Sequence, residues 1–203
     1  FYDYKKEGIW QLGEEAAAAA NGQEPGDIKV QDVDGNGVIT TDDRIIYSQR
    51  PDVTFGFNNT FNYKGFDLSV FLYARLGQWI AYDYNTTYRI NALENGGNVD
   101  YWTPENPTNA FPRPNKSKSY TQVTYYSTLK YEDGSFFKIR DITLGYTFKP
   151  ELLKHLNLSN LRVYATAKNF FTFSKIDNYD PEQGGSISFP MTKQLVFGLN
   201  VEF

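Results

Sequence analysis

The chain has no cysteine and a single histidine, His155, in 203 residues. Disulfides and thiolate metal sites are therefore excluded. One imidazole leaves no room for a histidine-based metal centre and makes a Ser-His catalytic arrangement implausible. The net charge is −4, and no run of Lys or Arg forms a basic patch, so nothing points to a nucleic-acid partner. No stretch approaches the roughly 18 apolar residues of a membrane helix, and no signal-peptide pattern opens the chain. Phe1 is not a natural start, so a piece of a longer protein is expected. What is abundant is aromatic: Phe, Trp and Tyr make up 17% of residues. Thr and Asn are also frequent, a composition biased toward strands.

The strongest pattern is alternation with period two, the mark of a strand with unlike faces. From Val53 to Tyr63, the odd positions Val53, Phe55, Phe57, Asn59, Phe61 and Tyr63 oppose Thr54, Gly56, Asn58, Thr60 and Asn62. After Lys64-Gly65, Phe66, Leu68, Val70, Leu72, Ala74 and Leu76 share a face opposite Asp67, Ser69 and Arg75, with Phe71 and Tyr73 blurring the contrast. Ile142, Leu144, Tyr146 and Phe148 alternate with Asp141, Thr143, Gly145 and Thr147. Leu161, Val163, Ala165 and Ala167 alternate with Arg162, Tyr164, Thr166 and Lys168. Leu195, Phe197, Leu199, Val201 and Phe203 alternate with Val196, Gly198, Asn200 and Glu202.

These runs exceed the about five or six residues usual for globular strands and suit a tilted bilayer crossing of about 9–11 residues. Their small polar faces fit a watery lumen better than a dry core. The connections alternate in length as well. Lys64-Gly65 and the link 149–160 are short; the segments near 13–51, 77–134 and 174–192 are long. Outer-membrane barrels have short periplasmic turns and long extracellular loops, which places the three long segments outside the cell. Phe1 to Trp10 is a candidate sixth strand. The competing reading is a soluble β-sandwich, whose strands also alternate but with shorter runs and turns about every 8–12 residues.

"DVDGNGVITTDD", starting at Asp32, fills an EF-hand-type calcium loop. Ligands at positions 1, 3, 5, 7, 9 and 12 fall on Asp32, Asp34, Asn36, Val38 through its carbonyl, Thr40 and Asp43, with Gly37 at the turn and Ile39 in the apolar slot. Position 12 is Asp rather than Glu, which shortens the reach for a bidentate contact. The flanks 27–30 and 44–47 read as extended rather than helical, so a static calcium clip is expected, not a helix-opening sensor. The bland alternative is an Asx-rich turn that holds no metal.

The segments "FYDYKKEGIWQ", "PGDIKVQDVDGNGVITTDDR", "RPDVTFGFNNTFNYKGFDLSVFLYARLG", "YWTPENPTNAFPRP", "YEDGSFFKIRDITLGYTFKPELL", "LRVYATAKNFFTFSKIDNYDPE" and "FGLNVEF" span almost the whole chain in order. Together they resemble the C-terminal part of SusC/RagA-type TonB-dependent transporters of the Bacteroidota outer membrane. The resemblance implies an all-β fold: the last five or six antiparallel strands of a transmembrane barrel of about 22 strands. It implies an N-terminal plug that engages TonB, a SusD-like lipoprotein lid, import of glycan or peptide oligomers, and the usual dimer of transporter–lipoprotein pairs. Plug and TonB-interacting segment lie outside this chain. Asp32, Asp34, Asn36 and Asp43 match the family's calcium loop, and Phe203 looks like the terminal aromatic read as a barrel-assembly signal, or else a lipid-facing ring.

Trp79, Tyr101 and Trp102 lie in the long loop, where aromatic faces could stack on sugar rings; loop packing or an aromatic girdle is the bland reading. The Pro-rich "TPENPTNAFPRP" is a candidate contact for the lid. The run from Glu14 is expected to form one or two helical turns before Gly22, and 149–158 a brief amphipathic turn with His155 exposed. No paired carboxylates converge as acid–base chemistry requires, so an enzyme is not expected. The alternatives are a soluble, secreted, calcium-stabilised β module that binds carbohydrate, and a structural surface protein without transport.

Overall fold

The computed structural model describes residues 1–91, 96–154 and 157–203, apart from the side chain of Tyr120. They divide into two compact units. One is a five-stranded antiparallel sheet with its attached turns. The other gathers residues 1–49, 79–132 and 184–187.

The sheet is built from β5 (Val53–Tyr63), β6 (Phe66–Leu76), β9 (Phe136–Thr147), β10 (Asn160–Ser174) and β11 (Gln194–Glu202), each beside the next long strand in the chain. It does not close, and β5 and β11 are its edges. Register explains why the alternation matters. Phe61, Leu68, Leu144, Ala165 and Phe197 form one cross-strand row. The adjacent row is Thr60, Ser69, Thr143, Thr166 and Val196, and the hydroxyls of Thr143 and Thr166 lie 2.9 Å apart. Because side chains alternate along each strand, one face collects the greasy rows and the other the hydrophilic ones. Phe55, Leu144 and Phe197 are 44%, 51% and 74% exposed, so the apolar face is not folded into a dry interior.

The hydrophilic face is shaped by glycine. A Cβ on Gly198 would strike the Tyr164 ring, so the ring lies across the glycine of the neighbouring strand. Gly145 similarly makes room for the Asp67–Arg162 ion pair, in which Arg162 Nε donates to Asp67 Oδ1 at 2.9 Å. The turn between β5 and β6 places both Lys64 and Gly65 at positive φ, as tight hairpins of right-handed twist require. At the same end, the β9–β10 link carries α2 (Pro150–Leu153), with proline at the first helical turn. His155 lies outside the described residues.

The sheet has one irregularity, at Arg140. The pairing of β9 with both β6 and β10 shifts there, leaving Arg140 out of both ladders. Asn169, opposite it on β10, adopts a left-handed φ of 58°. A single-residue bulge reverses the alternation of the strand that carries it. Phe137 and Ile139 thus share the face of Ile142 and Leu144 despite their odd numbering.

The second unit contains β1 (Tyr2–Tyr4), β2 (Lys6–Ile9), α1 (Glu15–Ala20), β3 (Ile28–Val30), β4 (Arg44–Ile46), β7 (Trp79–Ala81) and all but the last residue of β8 (Tyr131–Asp133). Its core is Ile9, Ile28, Val30, Tyr88, Ile90, Trp102 and Leu129. Phe1–Trp10 is not a sixth strand of the sheet. It breaks into β1 and β2, which pair with β4 and β3. These partners are the flanks of the acidic loop, so the start of the chain closes that loop's base. The helix expected after Glu14 is α1, and Ala18 is its buried residue.

Candidate functional site

The acidic loop between β3 and β4 folds around its own carboxylates. Asp32 accepts the backbone N–H of Gly35 at 2.8 Å and of Gly37 at 2.7 Å. Asp34 accepts from Asn36 N at 3.0 Å, and Asn36 Oδ1 from Val38 N at 2.8 Å. Gly35 and Gly37 both have positive φ, which allows these reversals without a Cβ penalty. Asp43 is buried and accepts from Val33 N at 2.8 Å and Thr40 N at 2.7 Å, capping the short 3-10 turn Thr41–Asp43 that closes the loop. The Thr40 N–H chiefly holds the Asp43 carboxyl below its ordinary range, against the opposing effect of burial.

Carboxylate oxygens of Asp32, Asp34 and Asp43 lie within 4.8 Å of one another. Asn36, Val38 and Thr40 complete the hard-oxygen set read from the sequence, and both flanks are extended, as expected. Val38 exposes its side chain, and only its carbonyl is relevant to a cation.

The aromatic residues proposed from sequence separate. Trp102 is 4% exposed, within the core, and its indole N–H donates to Gln11 Oε1 at 2.8 Å. A ring so enclosed offers no face for stacking on a sugar. Trp79 packs edge-on against buried Tyr47, with ring centroids 4.9 Å apart. Tyr101 is the one of the three that stays open, at 43%. The Pro-rich segment is packed within the unit: Pro112 is fully buried, and Arg113 reaches Glu24 at 2.7 Å. Phe203 lies beyond β11 and is 94% exposed.

Two features escaped sequence reading. One is a cavity of about 600 Å³ lined by Asn85, Arg89, Thr121, Tyr125, Tyr126 and Leu129, assembled from segments far apart in sequence. The other is an ionic cluster on the sheet. Lys138, with no exposed side-chain surface, donates to Asp180 Oδ2 at 2.7 Å and Glu182 Oε2 at 2.8 Å. Arg140 adds a contact to Glu182 Oε1 at 3.1 Å. Asp180 also accepts from the Thr172 hydroxyl and from Glu182 N. A lysine inside an alternating strand gave no hint of this partnership, since its acids lie about forty residues downstream.

No family model matches the chain. Among curated proteins, TonB-dependent receptor P3 of Formosa agariphila is 31% identical over the whole chain, which spans 22% of that protein. TonB-dependent receptor SusC of Bacteroides thetaiotaomicron is 31% identical over 85% of the chain and 17% of its own length. Among solved structures, the RagAB peptide transporter matches the whole chain with a TM-score of 0.73 at 24% identity, over 23% of the solved chain. The RagAB peptide importer in its open-open state matches with a TM-score of 0.67 at 25% identity, over 22% of that chain. The chain thus spans about a fifth of the length of its curated relatives. The open five-stranded sheet, its alternation of short and long connections and these similarities agree: the chain is a β-barrel segment of the SusC/RagA-type TonB-dependent receptors, matching the C-terminal part of such a barrel.

Proposed function

We propose that the protein to which this segment belongs imports nutrient oligomers across the outer membrane, driven by TonB through an N-terminal plug and capped by a SusD-like lipoprotein. The observation that carries this is the sheet itself. A face bearing Phe55, Phe57, Phe61, Leu144, Phe197 and Leu199, all exposed, needs a greasy surround. A soluble secreted module would have to leave that face in water, which monomeric soluble proteins avoid. The opposite face carries Thr, Ser, Asn and an Asp–Arg pair, as an aqueous lumen requires. The unpaired edges β5 and β11 would cost several kcal/mol per exposed backbone group in hydrocarbon, so further strands must flank them.

In this reading the segments 13–51, 77–134 and 174–192 lie outside the cell. The substrate is a glycan or a peptide; similarity to a peptide transporter supports the latter. Transport needs no catalytic side chain in this region.

The acidic loop is proposed to hold a structural calcium ion, ordering the extracellular unit. The support is electrostatic. Carboxylates of Asp32, Asp34 and Asp43 crowded within 4.8 Å repel one another unless a cation lies among them. The oxygen-only donor set suits a hard cation, and Asp32, Asp34, Asn36, Thr40 and Asp43 would supply side-chain oxygens with Val38 giving a carbonyl.

The import proposal is tested by uptake. Cells carrying the full-length receptor should accumulate a labelled oligomer that supports their growth, and lose that uptake when either the receptor or TonB is deleted. Uptake that persists without TonB would reject it.

A further inference from the structure

On the hydrophilic face of the sheet, near the end where the long loops attach, two guanidinium groups approach the ring of Tyr73. The Cζ of Arg75 is 5.5 Å from the ring centroid of Tyr73 and that of Arg140 is 5.4 Å from it. Two like charges around one phenol repel each other, and most cations of this face avoid that position by pairing with an acid. Lys138 holds Asp180 and Glu182, Arg162 holds Asp67, and Lys168 lies 3.8 Å from Asp141. Arg140 shares Glu182 through Nη1 alone and remains 40% exposed. Among the described residues, no carboxylate lies within ion-pair distance of Arg75.

The hydrogen bonds sharpen the point. Arg75 Nε donates to the Tyr73 hydroxyl oxygen at 2.8 Å. That bond occupies the phenol as an acceptor and leaves its proton to donate elsewhere. The two terminal nitrogens of Arg75 have no acceptor among the described residues. The group therefore presents a fork of N–H donors, a phenolic O–H and a second guanidinium, with Lys138, Arg140 and Arg75 outnumbering Asp180 and Glu182. The bulge explains how the second arginine comes to be here. Arg140 is the residue left out of both ladders, so its side chain is released from the ordinary alternation of β9.

We propose that Arg75, Tyr73 and Arg140 form an anion subsite on the lumen wall that takes a carboxylate of the transported oligomer. Planar, two-pronged donors match a carboxylate in a way a single ammonium does not. The inference rests on the import proposal for its setting, since it treats this face as the substrate's path, and it narrows the substrate to carboxylate-bearing oligomers. Both uronate-containing glycans and acidic peptides carry the group, and the chemistry of the site does not separate them.

The test uses the purified full-length receptor with its lipoprotein partner, titrated calorimetrically with matched probes: tetraglutamate against tetraglutamine, and tetragalacturonate against its methyl ester. The anionic member of one pair should bind at least about 10-fold more tightly than the neutral one, the scale of a charge-assisted hydrogen bond. Arg75→Gln should erase that difference. Arg75→Lys should retain part of it, and Lys64→Gln, the same charge loss at the far end of the strand pair, should retain all of it. Which pair shows the preference distinguishes peptide from glycan. Equal binding within both pairs, no binding by either anionic probe, or a preference that survives Arg75→Gln would overturn the proposal. Its failure is separable from that of the import reading. Anion binding through Arg75 without TonB-dependent uptake would reject import alone, and uptake indifferent to probe charge would reject the subsite alone.

Discussion

Replacing Lys138 with methionine should release the segment 175–183 from the sheet without unfolding the strands. Lys138 is enclosed, and its ammonium meets both oxygens of Asp180 and one of Glu182 at 2.7–2.8 Å. Methionine fills much the same volume, so packing is largely retained and the change isolates charge. Removing one partner of a buried pair typically costs about 3–5 kcal/mol, because the remaining charge is left uncompensated. Asp180 and Glu182 keep 13% and 10% of their side-chain surface, and Glu182 keeps Arg140, so the lower end applies. About 3 kcal/mol corresponds to roughly a hundredfold loss of protection against local opening. Hydrogen exchange of the full-length receptor, followed by mass spectrometry on peptides covering 175–183, reads this directly. The peptide covering β6 serves as the internal reference. The triple change Lys138→Met, Asp180→Asn, Glu182→Gln should restore most of the protection, since uncharged groups need no counterion. Unchanged exchange in Lys138→Met, or loss in the triple variant as large as in the single, would show that the ion cluster does not hold this segment.

Other outcomes follow from the same structure. Chelation of calcium should increase proteolysis within 31–47 of the full-length receptor, and Asp43→Ala should reproduce that effect without chelator. Lowering the pH through the depressed folded value of Asp43 should also loosen this loop; its contribution is complete above the ordinary carboxylate range, near pH 4, and is lost as the group protonates. In the alkaline direction, burial and Asp3 push Tyr131 up to about 12, and burial likewise raises Tyr47 and Tyr88. Stability from these neutral phenols is complete below pH 10 and should fall progressively toward pH 12, visible as Tyr ionisation coupled to loss of loop protection. Trp102→Ala should destabilise the loop unit by about 3–5 kcal/mol, whereas Tyr101→Ala should be near neutral for stability, measured by local exchange.

The long strands were legible because each has one face in a different solvent from the other, and that contrast writes itself into alternate letters. Where the phase holds, as in Val53–Tyr63, the sequence reading and the strand coincide. In β9 it began at Asp141, five residues late. The bulge at Arg140 reverses the parity there, so Phe136 to Ile139 look out of step with the residues beyond it. The acidic loop was legible because its spacing is local. Its base was not: β1 and β2 close the loop through pairings with β4 and β3, and Phe1–Trp10 carries no mark of its partner. The fate of Trp102 also depends on distant residues. Its indole is enclosed beside Gly26, where a Cβ would meet the ring at 2.7 Å. The Lys138 cluster and the double-guanidinium site around Tyr73 arise from cross-strand register and a returning loop, which no local window contains.

In the membrane, the two faces of the sheet should meet different solvents. This segment has no native cysteine, so single cysteines can carry nitroxide labels in the full-length receptor reconstituted in lipid vesicles, provided any cysteine elsewhere is removed. Labels from Phe57→Cys, Leu144→Cys and Phe197→Cys should collide readily with oxygen dissolved in the acyl chains and little with a water-soluble nickel chelate. Labels from Thr60→Cys, Thr143→Cys and Asn200→Cys should show the opposite preference. Equal accessibility on both faces, or a Phe57, Leu144 and Phe197 set shielded from both reagents, would show that the sheet does not separate lipid from an aqueous lumen.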